Sequence, residues 1–278
     1  MSDPHPSHSD AEQQLRKVLL GEHVQLHELR RRMRLFPSDP RCKLCSAPFG
    51  GAGGAILRHF GFARFPANPS LCGKCIVQFQ QIGVAGAEIP ITLLFADVRG
   101  STGLAEGMRP AEFRAYLDRL YHIASETILR HEGLVDKVVG DEVIGLFFQG
   151  VSGPDHAGAG IRAALALLER AARPDATSRG PIPLGIGVHT GEAFVGTTGP
   201  SGAVHDFTAL GDAVNLTARL ASAAAAGELL VTTSAVSAAG WTDDAATGPS
   251  ERRRIEVRGR QEGIDVLAVR PGAALPVA

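Results

Sequence analysis

Residues 91–102, ITLLFADVRGST, begin as a strand and then turn polar. Ile91 to Ala96 form a continuous apolar run, the pattern of a strand buried on both faces. Such a strand belongs in the interior of a layered domain. Asp97 interrupts the run. Burying an isolated carboxylate costs several kcal/mol unless something pairs with it.

The chain downstream supplies the layers. Pro110 suits the first turn of a helix. There Phe113, Tyr116, Leu117, Leu120, Ala124 and Ile128 share one apolar face. LVDKVV and EVIGLFF read as two strands joined by a tight hairpin through Gly140 and Asp141. Asp155 caps a second helix, with Ile161, Leu165 and Leu168 toward the core. LGIGVHTG (184–191) reads as a fourth strand. The order β-α-β-β-α-β is the ferredoxin-like split unit, an α+β fold in which the third strand lies antiparallel between the first and second. That topology places the end of strand one beside the start of strand three, and so Asp97 beside Asp141.

Two adjacent carboxylates repel, so that one would ordinarily hold a proton. Divalent cations resolve the conflict by neutralising both, unless Asp97 is simply a helix cap and Asp141 an ordinary turn residue. Oxygen-only ligands favour Mg²⁺ or Mn²⁺, and two such ions per site suit in-line phosphoryl displacement. Val98 to Thr102 read as a turn into a helix, with backbone N–H groups of Gly100, Ser101 and Thr102 available to phosphate oxygens. In HDFTALGDAVNLTARL (205–220), Asn215 and Arg219 fall one helical turn apart on one face. An amide beside a guanidinium suits a ribose or phosphate ligand, or simply an exposed polar face.

FADVRGST, DKVVGDEV, GIGVHTGEAFVG and FTALGDAVNLTARL together resemble the catalytic domain of class III nucleotidyl cyclases, over roughly residues 88–270. The resemblance implies metal ligands at Asp97, Val98 and Asp141, and base selection by Lys137 and Thr208. Lys with Thr is similar to the adenylyl cyclases of the Thr-containing bacterial subgroup; a Lys donor meets adenine N1 and the threonine hydroxyl accepts from the 6-amino group. Asn215 is implied to orient the ribose, Arg219 to stabilise the transferring phosphate, and Arg258 to hold the triphosphate tail, with Arg260 as neighbour. The expected activity is conversion of ATP to 3′,5′-cyclic AMP and pyrophosphate, in a head-to-tail homodimer with composite sites. One departure is Gly185, where many members carry a phosphate-binding arginine. Arg99 is a candidate substitute; a nucleotide-binding homologue with little turnover is the alternative.

The amino-terminal part has a different texture. Residues 1–10 are expected to be a disordered tail. Residues 11–36 read as one amphipathic helix, with Leu15, Leu19, Leu26, Leu29, Met33 and Phe36 on a heptad stripe that suits a dimer or a helix packed on its own protein, weakened by Gly21 and Glu22. RRRMR (30–34) reads as a solvated face. Residues 37–86 hold all four cysteines as two CxxC pairs, Cys42/Cys45 and Cys72/Cys75, in a Gly/Pro-rich segment too short for a substantial core. Four thiolates suit a tetrahedral Zn²⁺, an iron–sulfur cluster also accepts four, and reduced metal-free thiols are the third possibility. The catalytic domain is expected over 87–272 and a tail over 273–278, with the module regulating the enzyme.

Net charge is −1 with pI ≈ 6.8, so no global field draws nucleic acid or an anionic membrane. No apolar run approaches the ~18 residues of a membrane span. MSDPHPSHSD has neither the basic nor the apolar region of a signal peptide, so a cytoplasmic location is expected. Residues 41–75 offer few aromatics between basic residues, so no nucleic-acid partner is expected. His189 reads as structural, no second His or Cys standing at ligand spacing.

Overall fold

Strand β1 (Gly86–Val98) is the long buried strand that the apolar run requires, and it begins five residues before Ile91. The computed structural model describes residues 8–66, 68–81, 86–174, 180–198, 206–241, 250–256 and 263–270. After β1 come α5 (Ser101–Gly107), α6 (Pro110–Arg130), β2 (Leu134–Val139), β3 (Glu142–Phe147), α7 (Gln149–Ser152), α8 (His156–Ala172) and β4 (Leu184–Thr198). The remaining elements are β5 (Asp206–Leu210), α9 (Asp212–Ala223), β6 (Glu228–Thr232), α10 (Thr233–Ala238), β7 (Ser250–Ile255) and β8 (Ile264–Val269). Before β1 lie α1 (His8–Leu19), α2 (Val24–Met33), α3 (Gly51–Leu57) and α4 (Gly73–Gln81).

The sheet order is β2-β3-β1-β4-β6-β8-β7, with β5 hydrogen-bonded to β4. Its first four strands are the expected split unit, with β3 antiparallel to both β1 and β2. The carboxyl-terminal additions extend it through a parallel β4–β6 pair and the antiparallel β6–β8 and β7–β8 pairs. The local signals are realised. Pro110 starts α6, and the Asp155 carboxylate accepts the Gly158 N–H at 3.1 Å to cap α8.

The chain divides into two compact units, one formed by 1–90, 148–154 and 192–210, the other by 91–147, 155–191 and 211–278. In the second unit, Tyr116, Leu120, Ala124 and Ile128 of α6 join Ile161, Ala164, Leu165 and Leu168 of α8. They cover Leu94, Ala96, Val143, Phe147, Ile186 and Val188 of the sheet. A smaller cluster, Leu216, Leu220, Ala224, Leu230, Val266 and Ala268, involves α9. Gly187 in β4 permits that helix its close approach. A Cβ there would come within 2.7 Å of both the Thr217 carbonyl oxygen and the Leu220 Cβ. Gly187→Ala should therefore destabilise the fold by about 1–3 kcal/mol through overpacking, seen as a fall of roughly 2–10 °C in melting temperature by calorimetry. An unchanged melting temperature would show that α9 yields freely.

In the first unit, the single helix expected over 11–36 is two. The backbone turns at Gly21, whose φ of +72° is left-handed. Glycine there both lowers helix propensity and removes the penalty on that turn. Leu15 and Leu19 are buried and Met33 nearly so, whereas Phe36 is 45% exposed, so the heptad stripe is not one continuous seam. Helix α1 begins at His8, inside the polar stretch expected to be a tail. Phe79 of α4 stacks on Phe207 of β5 with ring centroids 5.5 Å apart, and Phe148 lies 6.4 Å from the same ring. Aromatic packing thus draws β5 and residues 148–154 into the unit that carries the cysteines.

Candidate functional site

Asp97 sits one residue from the end of β1, and its register partner on β3 is Glu142. Asp141 immediately precedes Glu142 in the hairpin turn, after Gly140 with φ +61°. The topology therefore brings Asp97 and Asp141 to the same end of adjacent strands. The Tyr121 hydroxyl of α6 donates to the Gly140 carbonyl and fixes that turn. Glu142 was not anticipated as part of the constellation. Burial and then the Asp141 charge push its carboxyl up, against the pull of Arg99. Three acidic groups crowd one strand end, a charge excess that divalent cations relieve, and an all-oxygen donor set fits Mg²⁺ or Mn²⁺.

Arg99 is the cation the sequence left uncertain. Its guanidinium pairs with Asp97, and Nη1 donates to the Ser222 carbonyl of α9 at 2.7 Å. Its own backbone N–H donates to Pro183 O at 2.7 Å. Burial pushes its pKa down, while Asp141 and Glu142 pull it back up. A Cβ at Gly185 would lie 3.1 Å from Arg99 Nε, and 2.8 Å from the Ala224 carbonyl oxygen. The bare glycine leaves the space the Arg99 side chain fills.

Gly100 turns the chain with φ +72° and opens α5 at Ser101, so Gly100, Ser101 and Thr102 follow Asp97 as a turn and first helical residues. The Val98 side chain is buried, which leaves only its main chain for a ligand. Lys137 lies in β2, half-buried. The pairing slips between Val135 and Val138, so Asp136 and Lys137 form a bulge, a distortion that re-aims side chains. Asn215 and Arg219 are exposed on α9, opposite buried Ala213, Leu216, Thr217 and Leu220. Thr208 is buried in β5, paired with Gly196, and belongs to the other compact unit. Arg258 and its neighbour Arg260 lie outside the described residues. His189 Nδ1 is 3.0 Å from the Thr232 hydroxyl, a structural contact.

The four cysteines converge within the first unit. All are buried and none forms a disulfide. Their sulfurs lie within 4.8 Å of one another, with Cys42–Cys75 at 3.9 Å and Cys45–Cys72 at 3.6 Å. Among the described residues they are the one group of three or more His, Cys, Asp or Glu side chains so converged. The first pair sits in a knuckle. Ser46 N–H donates to Cys42 O and Cys42 N–H to Ala47 O, both at 2.9 Å, and Ser46 takes φ +59°. The second pair opens α4, and Cys72 N–H donates to Cys42 Sγ at 3.3 Å. Burial pushes the Cys42 thiol up, but hydrogen bonds from the other three cysteines hold it well below the usual thiol range. Cys45 and Cys75 are pushed up, first by their hydrogen bonds with Cys42. One sulfur takes the negative charge at the expense of its neighbours, a conflict that a shared metal cation removes.

The model of the adenylate and guanylate cyclase catalytic domain matches residues 85–267. An adenylate cyclase of Anabaena cylindrica is 32% identical over 163 residues, 57% of this chain and 32% of that protein. One from Mycobacterium bovis is 34% identical over 145 residues, 50% of this chain and 31% of that protein. The chain thus spans about a third of the length of these curated relatives. Among solved structures, a guanylyl cyclase aligns with TM-score 0.59 and 26% identity, over 70% of this chain and all of that one. The adenylyl cyclase CyaB from P. aeruginosa aligns with TM-score 0.57 and 25% identity, again over 70% of this chain and all of that one. The split sheet with its paired carboxylates falls wholly inside the matched region, and the chain belongs to the class III nucleotidyl cyclase family.

Proposed function

We infer that the protein is an adenylyl cyclase, converting ATP to 3′,5′-cyclic AMP and pyrophosphate. The observation that carries this reading is the strand end where Asp97 and Asp141 meet with Arg99 beside them. The ribose 3′-oxygen attacks the α-phosphorus, the bond to the β-phosphate oxygen breaks, and the hydroxyl proton passes to solvent. Two Mg²⁺ or Mn²⁺ ions held by Asp97, Asp141 and the Val98 main chain would supply Lewis acidity to the attacking and leaving oxygens. Arg219 offsets charge on the transferring phosphate and Asn215 orients the ribose. Gly100, Ser101 and Thr102 offer N–H groups to phosphate oxygens, and Arg258 is assigned to the triphosphate tail. The Arg99 side chain fills the space left by Gly185, and Arg99 is the proposed substitute for the phosphate-binding arginine absent there. That substitution weighs against a binding-only homologue.

The site is composite in a homodimer, with Asp97 and Asp141 from one chain and Lys137, Thr208, Asn215, Arg219 and Arg258 from its partner. The exposed Asn215–Arg219 face of α9 supports this. The four-cysteine centre holds Zn²⁺ and regulates the cyclase. No helix among the described residues is long and apolar enough to cross a membrane, and a cytoplasmic enzyme is proposed.

Relatives and structural neighbours include both adenylyl and guanylyl cyclases, so base choice is the deciding test. Purified protein with Mn²⁺ should form cyclic AMP from ATP well above cyclic GMP from GTP. Lys137→Glu with Thr208→Cys should lower the ATP:GTP product ratio by about tenfold or more, the 1–3 kcal/mol that mispaired buried polar groups cost. A wild-type preference for GTP would refute the adenylyl assignment. An unmoved ratio in the double variant would free these two residues of the selecting role.

A further inference from the structure

Arg30 has no place in the cyclisation chemistry, yet it is among the most connected side chains of its unit. It opens the RRRMR run on α2, where Arg31, Arg32 and Arg34 are exposed and Arg30 is half-buried. The solvated-face reading holds for those three and fails for Arg30. Its Nε donates to Leu44 O, and its Nη2 to Lys43 O at 3.4 Å and to Gly150 O. Lys43 and Leu44 are the two residues between Cys42 and Cys45. Gly150 lies in α7, directly after β3. That glycine is itself pressed onto the end of α1, where an added Cβ would lie 2.9 Å from Val18 O and 2.8 Å from the Leu19 carbonyl carbon.

We propose that Arg30 is the outer-sphere cation of a mononuclear four-thiolate zinc centre and clamps its first knuckle to residues 148–154. The proposal rests on the reading of the four cysteines as a metal site. A tetrahedron with metal–sulfur bonds of ~2.3 Å has edges of ~3.8 Å, and the Cys42–Cys75 and Cys45–Cys72 sulfur pairs, at 3.9 and 3.6 Å, bracket that edge. In a four-iron cluster each thiolate holds a different iron, which drives the sulfurs well apart. Convergence of all four within 4.8 Å leaves room for one ion. Zn²⁺ with four thiolates carries two net negative charges in a buried setting, and such charge requires a nearby cation. Burial and then Arg34 push the Arg30 guanidinium down, and Cys42, Cys45 and Cys75 pull it back up. A planar guanidinium also reaches the knuckle and α7 at once, which a single ammonium cannot match.

The test uses the full chain, measuring zinc and iron content, zinc affinity by competition with a chromogenic chelator, and amide exchange over 149–153. Wild type should hold about one zinc per chain without sulfide or visible absorption. Arg30→Gln should weaken zinc binding about 10–100-fold and speed exchange at Val151, Ser152 and Gly153. Arg30→Lys should keep zinc affinity within about tenfold of wild type, because the charge remains, yet still lose the protection. Arg31→Gln should change neither. Zinc affinity within twofold of wild type in Arg30→Gln would overturn the role of Arg30 and leave the metal site standing. If Arg30→Gln does not fold, wild-type protection of 149–153 in Arg30→Lys overturns the clamp. Iron with sulfide, or no metal in the wild type, would overturn the zinc reading itself.

Discussion

Asp97→Ala and Asp141→Ala should each lose cyclase turnover by about a thousandfold or more while keeping the fold. The magnitude follows from the several kcal/mol that bound cations contribute to charge stabilisation in phosphoryl displacement, at about 1.4 kcal/mol per tenfold in rate. The fold should survive because neither side chain is in the core. Asp97 is 22% exposed at the side chain, and Asp141 lies in a turn that Tyr121 already fixes through Gly140. Loss of Asp97 frees Arg99 from its ion pair but leaves the hydrogen bond to Ser222 O. Melting temperatures should therefore shift by only a few degrees. Mn²⁺ binding, followed by its paramagnetic resonance signal, should weaken in both variants, separating loss of the cation from loss of chemistry. Turnover near the wild-type value in either variant would remove the two-carboxylate assignment.

What the sequence reveals and what it hides divide along physical lines. The β-α-β-β-α-β order is legible because each element carries its own periodicity, and the juxtaposition of Asp97 with Asp141 follows from topology alone. The start of α6 at Pro110 and the Asp155 cap are local effects, readable without a partner. Strand ends are less legible. β1 begins at Gly86 and β4 runs on to Thr198 because pairing, as with β5 along 194–198, extends strands beyond their apolar runs. The break at Gly21 is a contest between a good heptad stripe and one permissive residue, and the backbone follows the glycine. Arg99 filling the space at Gly185 and Arg30 reaching the cysteine knuckle depend on contacts far apart in sequence. Glu142 had a signal in DEV, beside Asp141, but its part is set by cross-strand register rather than by spacing.

Asp97→Ala and Arg219→Ala, each inactive alone, should recover activity when mixed. The reasoning begins from exposure. Arg219 and Asn215 project from the face of α9 opposite its buried side, the orientation required of groups that complete a partner's site. In a two-fold dimer with composite sites, a mixed pair concentrates both lesions in one site and leaves the other intact. Random exchange makes half of the dimers mixed, each with one working site, so about a quarter of wild-type activity should return. Asp97→Ala mixed with Asp141→Ala provides the opposing case. With both carboxylates assigned to the same site, every mixed dimer has one lesion in each site and no activity should return. Exchange is followed independently by co-purification of differently tagged chains. Exchange without recovery in the first mixture would place Arg219 with the carboxylates of its own chain and end the composite-site reading. Recovery in the second would assign Asp97 and Asp141 to different sites and end the two-carboxylate pairing.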